Sequence, residues 1–201
     1  MLMFYQVNQP IYIVGTGPYA KDLHAWMTKD GHSQVVSVAH DSADTLPAGS
    51  QLMLAFYGMS YRKKFLSADM VEKYIWPAFV HSSALVTDQD SIRPGVIVNP
   101  MCVIGHGVVL GNFCQVGTLS KVGHGTRIGS NTVITPGTII GGSTRIGNNV
   151  FFAQSCSVKD KIIICDDTTF VMNSVVKKNI TQSGCYYGDR KLVTNDLSAV
   201  V

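Results

Sequence analysis

The sequence predicts two architectures in series: a small parallel α/β unit, then a parallel β-helix built from hexapeptide repeats. Two observations carry that expectation. Every sixth residue from Val80 through Val98, Leu110, Ile128, Ile140 and Phe152 to Val176 is aliphatic or Phe, without a register break. The stretch before it alternates strand-like and helix-like patterns in the order β-α-β-β-α, which is the signature of a parallel sheet with crossover helices.

The repeat organises the rest of the chain. Each hexapeptide is a short strand plus a turn, too small to bury its own apolar face, so stability requires stacking. Three hexapeptides make a triangular coil of 18 residues, and successive coils stack at about 4.8 Å. Four residues after each anchor lies a column of small or β-branched side chains, among them Cys102, Cys114, Thr126, Thr132, Thr138, Thr144 and Cys156. Gly follows many anchors, as at Gly105, Gly117, Gly123 and Gly141. These glycines are expected to supply turn conformations closed to other residues. The chain has room for about five to six coils.

In the N-terminal part, Ile11 to Val14 reads as a strand and Gly15-Thr16-Gly17 as a turn. Ala20 to Lys29 reads as a helix closed by Gly31, with Leu23, Trp26 and Met27 on one face. Gln34 to Ala39 and Gln51 to Tyr57 are further strands, and Met59 to Tyr74 reads as one helix. The junction is Trp76 to Phe79, and His81 after it is expected to cap the first coil. The expected division is therefore 1–78 for the α/β unit, 79–182 for the β-helix and 183–201 for a C-terminal tail. After Val176 the repeat fails; Lys177 to Gly184 is expected to turn away, and the chain beyond Lys191 to be disordered.

Composition narrows the function classes. The chain has 201 residues, 46% of them hydrophobic, 14% charged, with a net charge of +3. No basic run is present, so nucleic acid is not an expected partner. No apolar run reaches the roughly 20 residues of a membrane span, and no secretory leader is evident. A cytoplasmic location is expected. Three of the five cysteines fall in the small-residue column, so structural free thiols are expected and a disulfide framework is not.

Candidate site residues lie in both parts. Gly15-x-Gly17 is where a parallel α/β unit meets a phosphate or nucleotide, and Asp41 ends the second strand, where a ribose or base is read. A ligand-free turn and a lone surface Asp are the plain alternatives. Inside the repeat, His106 and His124 each stand in Gly-His-Gly, one coil apart, and should share one edge with Cα atoms about 5 Å apart. Two imidazoles that close disfavour joint protonation, and a neutral imidazole is what a general base requires. A solvated polar corner is the alternative for both. Zinc needs a third ligand, and the positions five residues on are Gly111 and Gly129, so no metal is expected.

With these features the chain resembles the NeuD/PglD family of sugar acetyltransferases, in which a small nucleotide-binding α/β domain precedes a left-handed β-helix. The resemblance implies the left hand of the helix. It also implies acetyl-CoA as acyl donor and a sugar, nucleotide-linked, as acceptor through an amine or hydroxyl. It implies a homotrimer with active sites between subunits, working in surface-polysaccharide or glycan biosynthesis. The family's catalytic histidine falls on His124 in Lys121 to Gly129. Gly123 and Gly125 stand where the family carries acidic neighbours, and His106 offers itself as a substitute partner of the base. The resemblance further implies a carbonyl-polarising N–H in the Gly141-Gly142 turn and cofactor-lining positions at Gln154 and Met172. Substrate positions fall on Gly17, Pro18, Tyr19, His40, Asp41 and Gly58, with Pro18-Tyr19 where the family commonly has Gly-His. The alternative is a nucleotide-sugar-binding or scaffold homologue that has lost acyl transfer.

Overall fold

A computed structural model describes residues 9–88, 90 and 92–192. The N-terminal unit runs β1 (Ile11–Val14), α1 (Pro18–Lys29), β2 (Val35–Val38), a 3-10 turn, β3 (Gln51–Leu54), α2 (Met59–Phe65) and α3 (Ala68–Lys73). Its sheet is parallel in the order β2-β1-β3. All of β3 and most of β1 are buried, as continuous apolar runs in a covered parallel sheet should be. The single helix expected from Met59 to Tyr74 is instead two. Ser67 takes extended backbone (φ −64°, ψ 158°) and starts α3 afresh, a position that serine favours.

From Phe79 onward the chain is a parallel β-helix whose two-residue strands pair with register shifts of 18 residues, such as Ile97 with Gln115 and Gln115 with Val133. The first face contains Phe79–Val80, Ile97–Val98, Gln115–Val116, Val133–Ile134, Phe151–Phe152 and Thr168–Phe170. The second contains Leu85–Val86, Val103–Ile104, Lys121–Val122, Ile139–Ile140, Ser157–Val158 and Val175–Val176. The third contains Val109–Leu110, Arg127–Ile128, Arg145–Ile146 and Ile163–Ile164. The anchors from Val98 to Val176 fill the interior, with Phe152 and Phe170 stacked at 5.0 Å. Val80 departs from the series: it is 36% exposed, because the first coil has no coil beneath it.

The small column does more than fill space. Thr126 and Thr132 each donate from Oγ1 to the carbonyl 15 residues on, Gly141 and Gly147, at 2.9 and 3.0 Å. Cys102 and Cys114 aim Sγ at the equivalent carbonyls of Gly117 and Gly129, both at 3.0 Å. The thiols thus stand in for hydroxyls in one ladder between coils. Burial pushes Cys114 up to about 12 and Cys102 and Cys156 to about 11.

The glycine expectation needs correction. The left-handed residues recur every six, but at Gly95, Met101, Gly107, Phe113, Leu119 and so on to Asn173, and only some are Gly. The glycines after the anchors have ordinary backbone angles. They are there because the next coil lies on top: a Cβ at Gly117 would stand 2.5 Å from Pro136 N, and one at Gly105 2.8 Å from His124 N.

The tail also differs from expectation. Gly184–Tyr187 pairs in parallel with Thr168–Phe170 and extends the first face, then folds back antiparallel onto Arg190–Lys191. Tyr186 closes the end of the core, 5.8 Å from Phe170. The disorder expected beyond Lys191 lies almost wholly outside the described residues.

The N-terminal unit covers the first face, and one corner of the β-helix docks it. That corner stacks Phe113, Asn131, Asn149 and Asp167 at 18-residue intervals, all left-handed. Arg62 of α2 is fully buried. It donates from Nε to Asn131 Oδ1 (2.8 Å), from Nη1 to Phe56 O (3.1 Å) and from Nη2 to Phe113 O (2.5 Å). Asn131 passes the chain of bonds on to Asn149 at 2.9 Å, and Lys63 pairs with Asp167. Burial among neutral acceptors lowers the Arg62 pKa to about 10.

Candidate active site

The hexapeptide register puts Asp88, His106, His124, Gly142 and Asp160 in one column, at the corner between the second and third faces. His106 and His124 therefore share one edge, as expected: Gly125 N donates to His106 O at 2.8 Å, one coil on. Their side chains do not pair. His106 Nδ1 is bound to Asp88 (Oδ1 at 3.1 Å), whose other oxygen takes Gly107 N at 2.5 Å. The expected partnership of His106 with His124 is replaced by one with a carboxylate one coil earlier. The 18-residue period points directly to Asp88, which sequence reasoning overlooked.

His124 is exposed, and no hydrogen bond holds its imidazole among the described residues. The ring lies against Gly142: a Cβ there would be 2.8 Å from His124 Cε1 and 3.0 Å from Nε2. Glycine at 142 is what lets the ring take this position. Gly141 N–H is committed to Val158 O at 2.8 Å, whereas Gly142 N–H has no acceptor among the described residues. An imidazole and an uncommitted backbone donor thus meet at one corner, the pairing that removal of a proton beside a developing oxyanion needs. Gly123 carries no carboxylate, and a Cβ there would meet Gly142 N at 2.5 Å.

The other expected positions lie elsewhere on this chain. Gly58, Gln154 and Met172 come together in a groove of about 680 Å³ between the start of α2 and the corner joining the first and second faces. Tyr57, Pro136 and Phe151 form its apolar walls. Thr135 also lines it, and its Oγ1 is buried without a partner among the described residues. His124 is not part of this groove; it stands at the opposite edge of the second face.

Gly17, Pro18, Tyr19, His40 and Asp41 follow the carboxyl ends of β1 and β2, where open α/β sheets take ligands. Gly15 has φ +137°, and a Cβ there would stand 2.9 Å from Ala55 O, so the turn requires glycine. Pro18 is the first residue of α1 and contributes no N–H. Tyr19 turns inward, stacks on Tyr57 at 4.6 Å and donates to Asn99 Oδ1 at 3.2 Å. Burial raises the pKa of both phenols, that of Tyr57 to about 12. His40 packs edge-on to Tyr61 at 5.5 Å, and Asp41 accepts from Ser42 Oγ at 3.3 Å.

No protein-family model matches this sequence, and no curated protein sequence matches it. Solved structures do match. The acetyltransferase domain of PglB from Neisseria gonorrhoeae FA1090, in complex with acetyl coenzyme A, superposes with a TM-score of 0.81 at 17% identity, over 92% of this chain and 100% of that one. A mutant of perosamine N-acetyltransferase from Caulobacter crescentus, in complex with CoA and GDP-perosamine, gives 0.78 at 21% identity, over 94% and 98%. WeeI from Acinetobacter baumannii AYE gives 0.77 at 15%, over 90% and 98%. At these identities the likeness establishes the fold: an α/β unit followed by a left-handed parallel β-helix.

Proposed function

We propose that the protein is an acetyltransferase that moves an acetyl group from acetyl-CoA to an amine or hydroxyl of a nucleotide-linked sugar. Its place would be surface-polysaccharide or glycan biosynthesis in the cytoplasm. The observation that carries this reading is the corner where the unheld imidazole of His124 lies against Gly142 and its free N–H. The complexes of similarly folded proteins with acetyl coenzyme A, CoA and GDP-perosamine support the choice of donor and acceptor class.

The chemistry follows from these groups. An imidazole nitrogen of His124 takes the proton from the acceptor N–H or O–H as that atom attacks the thioester carbonyl. Gly142 N–H donates to the carbonyl oxygen as negative charge collects there. The C–S bond then breaks, the thiolate leaves, and the imidazolium returns its proton to sulfur. The products are acetylated sugar and CoA, with His124 neutral again.

A homotrimer completes the site in this reading. The first face is covered by the N-terminal unit, with Ile97 and Val133 fully buried, and the third carries Arg127 and Arg145. The second is uncovered and mostly apolar: Leu85 is 64%, Ile139 50% and Val175 52% exposed, with Lys121 and Ser157 in the same ladder. Packing these faces about a three-fold axis sets the groove edge of one subunit beside the His124 edge of the next, since they are the two edges of the same face. Gln154 and Met172 would then line the donor's path to a neighbour's His124. Gly17, Pro18, His40 and Asp41 would face the nucleoside end of the acceptor, with inward-turned Tyr19 and groove-lining Gly58 shaping the surface beside it.

The absence of carboxylates at Gly123 and Gly125 favours a second reading, a nucleotide-sugar-binding or scaffold protein without acyl transfer. Thermal denaturation separates the two. Stabilisation by acetyl-CoA is expected of the enzyme; stabilisation by nucleotide sugars alone, with no response to acetyl-CoA, would establish the binder.

A further inference from the structure

Arg127 and Arg145 are direct ladder partners on the third face. Both side chains are exposed, and neither has an ion pair or hydrogen bond among the described residues. Like-charged residues directly opposite on a ladder, their backbones about 4.8 Å apart, disfavour each other and cost stability. Lys63 and Arg62, by contrast, have partners: Asp167 for the first and three acceptors for the second. The nearby acids are of little help to the arginine pair. Asp160 lies on the following coil between Lys159 and Lys161, and Asp166 accepts from the backbone and side chain of Asn148.

The pair is also close to the chemistry. Arg127 is three residues from His124, and Arg145 three from Gly142, so each arginine Cα lies at most about 10 Å from the Cα of its corner residue. A hexose ring spans that gap when the arginine side chain reaches back along it. The diphosphate of CoA is held off from its thioester by the whole pantetheine arm and does not fit so short a span. Meanwhile the Gly15-x-Gly17 turn, the usual phosphate seat of such a domain, has lost one N–H to Pro18.

We propose that Arg127 and Arg145 form the anion site for the diphosphate of the acceptor, holding its sugar at His124. The ligand's identity rests on the acetyl-transfer reading; the anion site itself does not. The two guanidiniums, one coil apart, would each take one phosphate of the pair through charge-assisted bonds.

Calorimetric titration of the full chain with inorganic pyrophosphate at low salt tests the site without any turnover. Binding to the wild type is expected, weakened about tenfold or more in R127Q/R145Q and unchanged in the control K177Q/K178Q. Thermal stability of R127Q/R145Q should equal or exceed that of the wild type, because a repulsion is removed. No pyrophosphate binding by the wild type, or equal binding by the variant, overturns the site. Kinetics then separates the two sources of diphosphate. The KM for the nucleotide-sugar acceptor should rise in R127Q/R145Q while that for acetyl-CoA holds; a rise for acetyl-CoA alone overturns the assignment to the acceptor. Absence of acetyl transfer in the wild type would sink the enzyme reading, while the pyrophosphate titration still decides the site.

Discussion

At the scale of single residues, the repeat uses two kinds of special position for different physical reasons. Glycines after the anchors answer to the coil above; the left-handed corners answer to the turn, and they tolerate Ser, Asn, Lys or Leu. Gly117→Ala should therefore cost about 1–3 kcal/mol through overpacking against Pro136. Ser155→Gly, at φ 59°, should be neutral or stabilising by up to about 1 kcal/mol; denaturant titration compares them. The buried thiols give a second test. Because burial raises Cys102, Cys114 and Cys156 to about 11–12, they stay protonated in the folded state at pH 8, and a thiol reagent should label Cys165 in preference. Their ordinary value is 9.0, so the unfolded chain loses these protons first. The stabilisation they contribute is whole below about pH 9 and lost as pH rises through 11–12, so the melting temperature should fall steeply over that window. A melting curve flat from pH 9 to 12 would contradict the assignment.

Among elements, α2 is the hinge pin between the two parts. Arg62 sits one turn after Gly58, and its backbone N bonds Gly58 O at 2.9 Å, so the buried guanidinium sets the lip of the groove as well as the docking of the unit. Arg62→Ala should cost about 3–5 kcal/mol by leaving Asn131 and two carbonyls unsatisfied. Arg62→Lys should recover only part of this, because one ammonium cannot reproduce the fork. The exposed Lys63–Asp167 pair should contribute no more than about 1 kcal/mol, as Lys63→Met would measure. The six-residue series was readable because every anchor faces the same interior and each is constrained separately. The histidine edge was readable from the 18-residue coil for the same reason. Arg62 was not, because on a helix with Lys63 and Lys64 beside it nothing local distinguishes a buried cation from a solvated one. Nor was the last strand: Gly184 to Tyr187 re-enters the first face through pairing, after the six-residue pattern has ended. The groove was half visible. Gly58, Gln154 and Met172 came from likeness to a family, and their meeting depends on how α2 docks.

For the whole molecule, the three faces have three fates: one covered by the chain itself, one bare and mostly apolar around Lys121, one bare with Arg127 and Arg145 beside exposed Ile163. The apolar face predicts self-association, so Ile139→Asp should give a folded monomer by light scattering, with acetyl transfer lost. A shared site makes a sharper prediction. His124→Ala and a groove-filling Ala153→Trp variant should each be inactive alone, yet regain activity when mixed and reassembled, because some corners would then pair an intact groove with an intact histidine. No recovery on mixing, with mixed trimers demonstrated, would place the groove and the histidine in separate functions. In the proposed reaction His124 is the base of the acetyl transfer. The direct measurement is CoA release from acetyl-CoA in the presence of nucleotide-linked amino sugars, for wild type and His124→Ala side by side. Sugar-dependent release by the wild type, reduced at least about 100-fold in the variant with its assembly unchanged, is the predicted result. Equal release by the two proteins would contradict it.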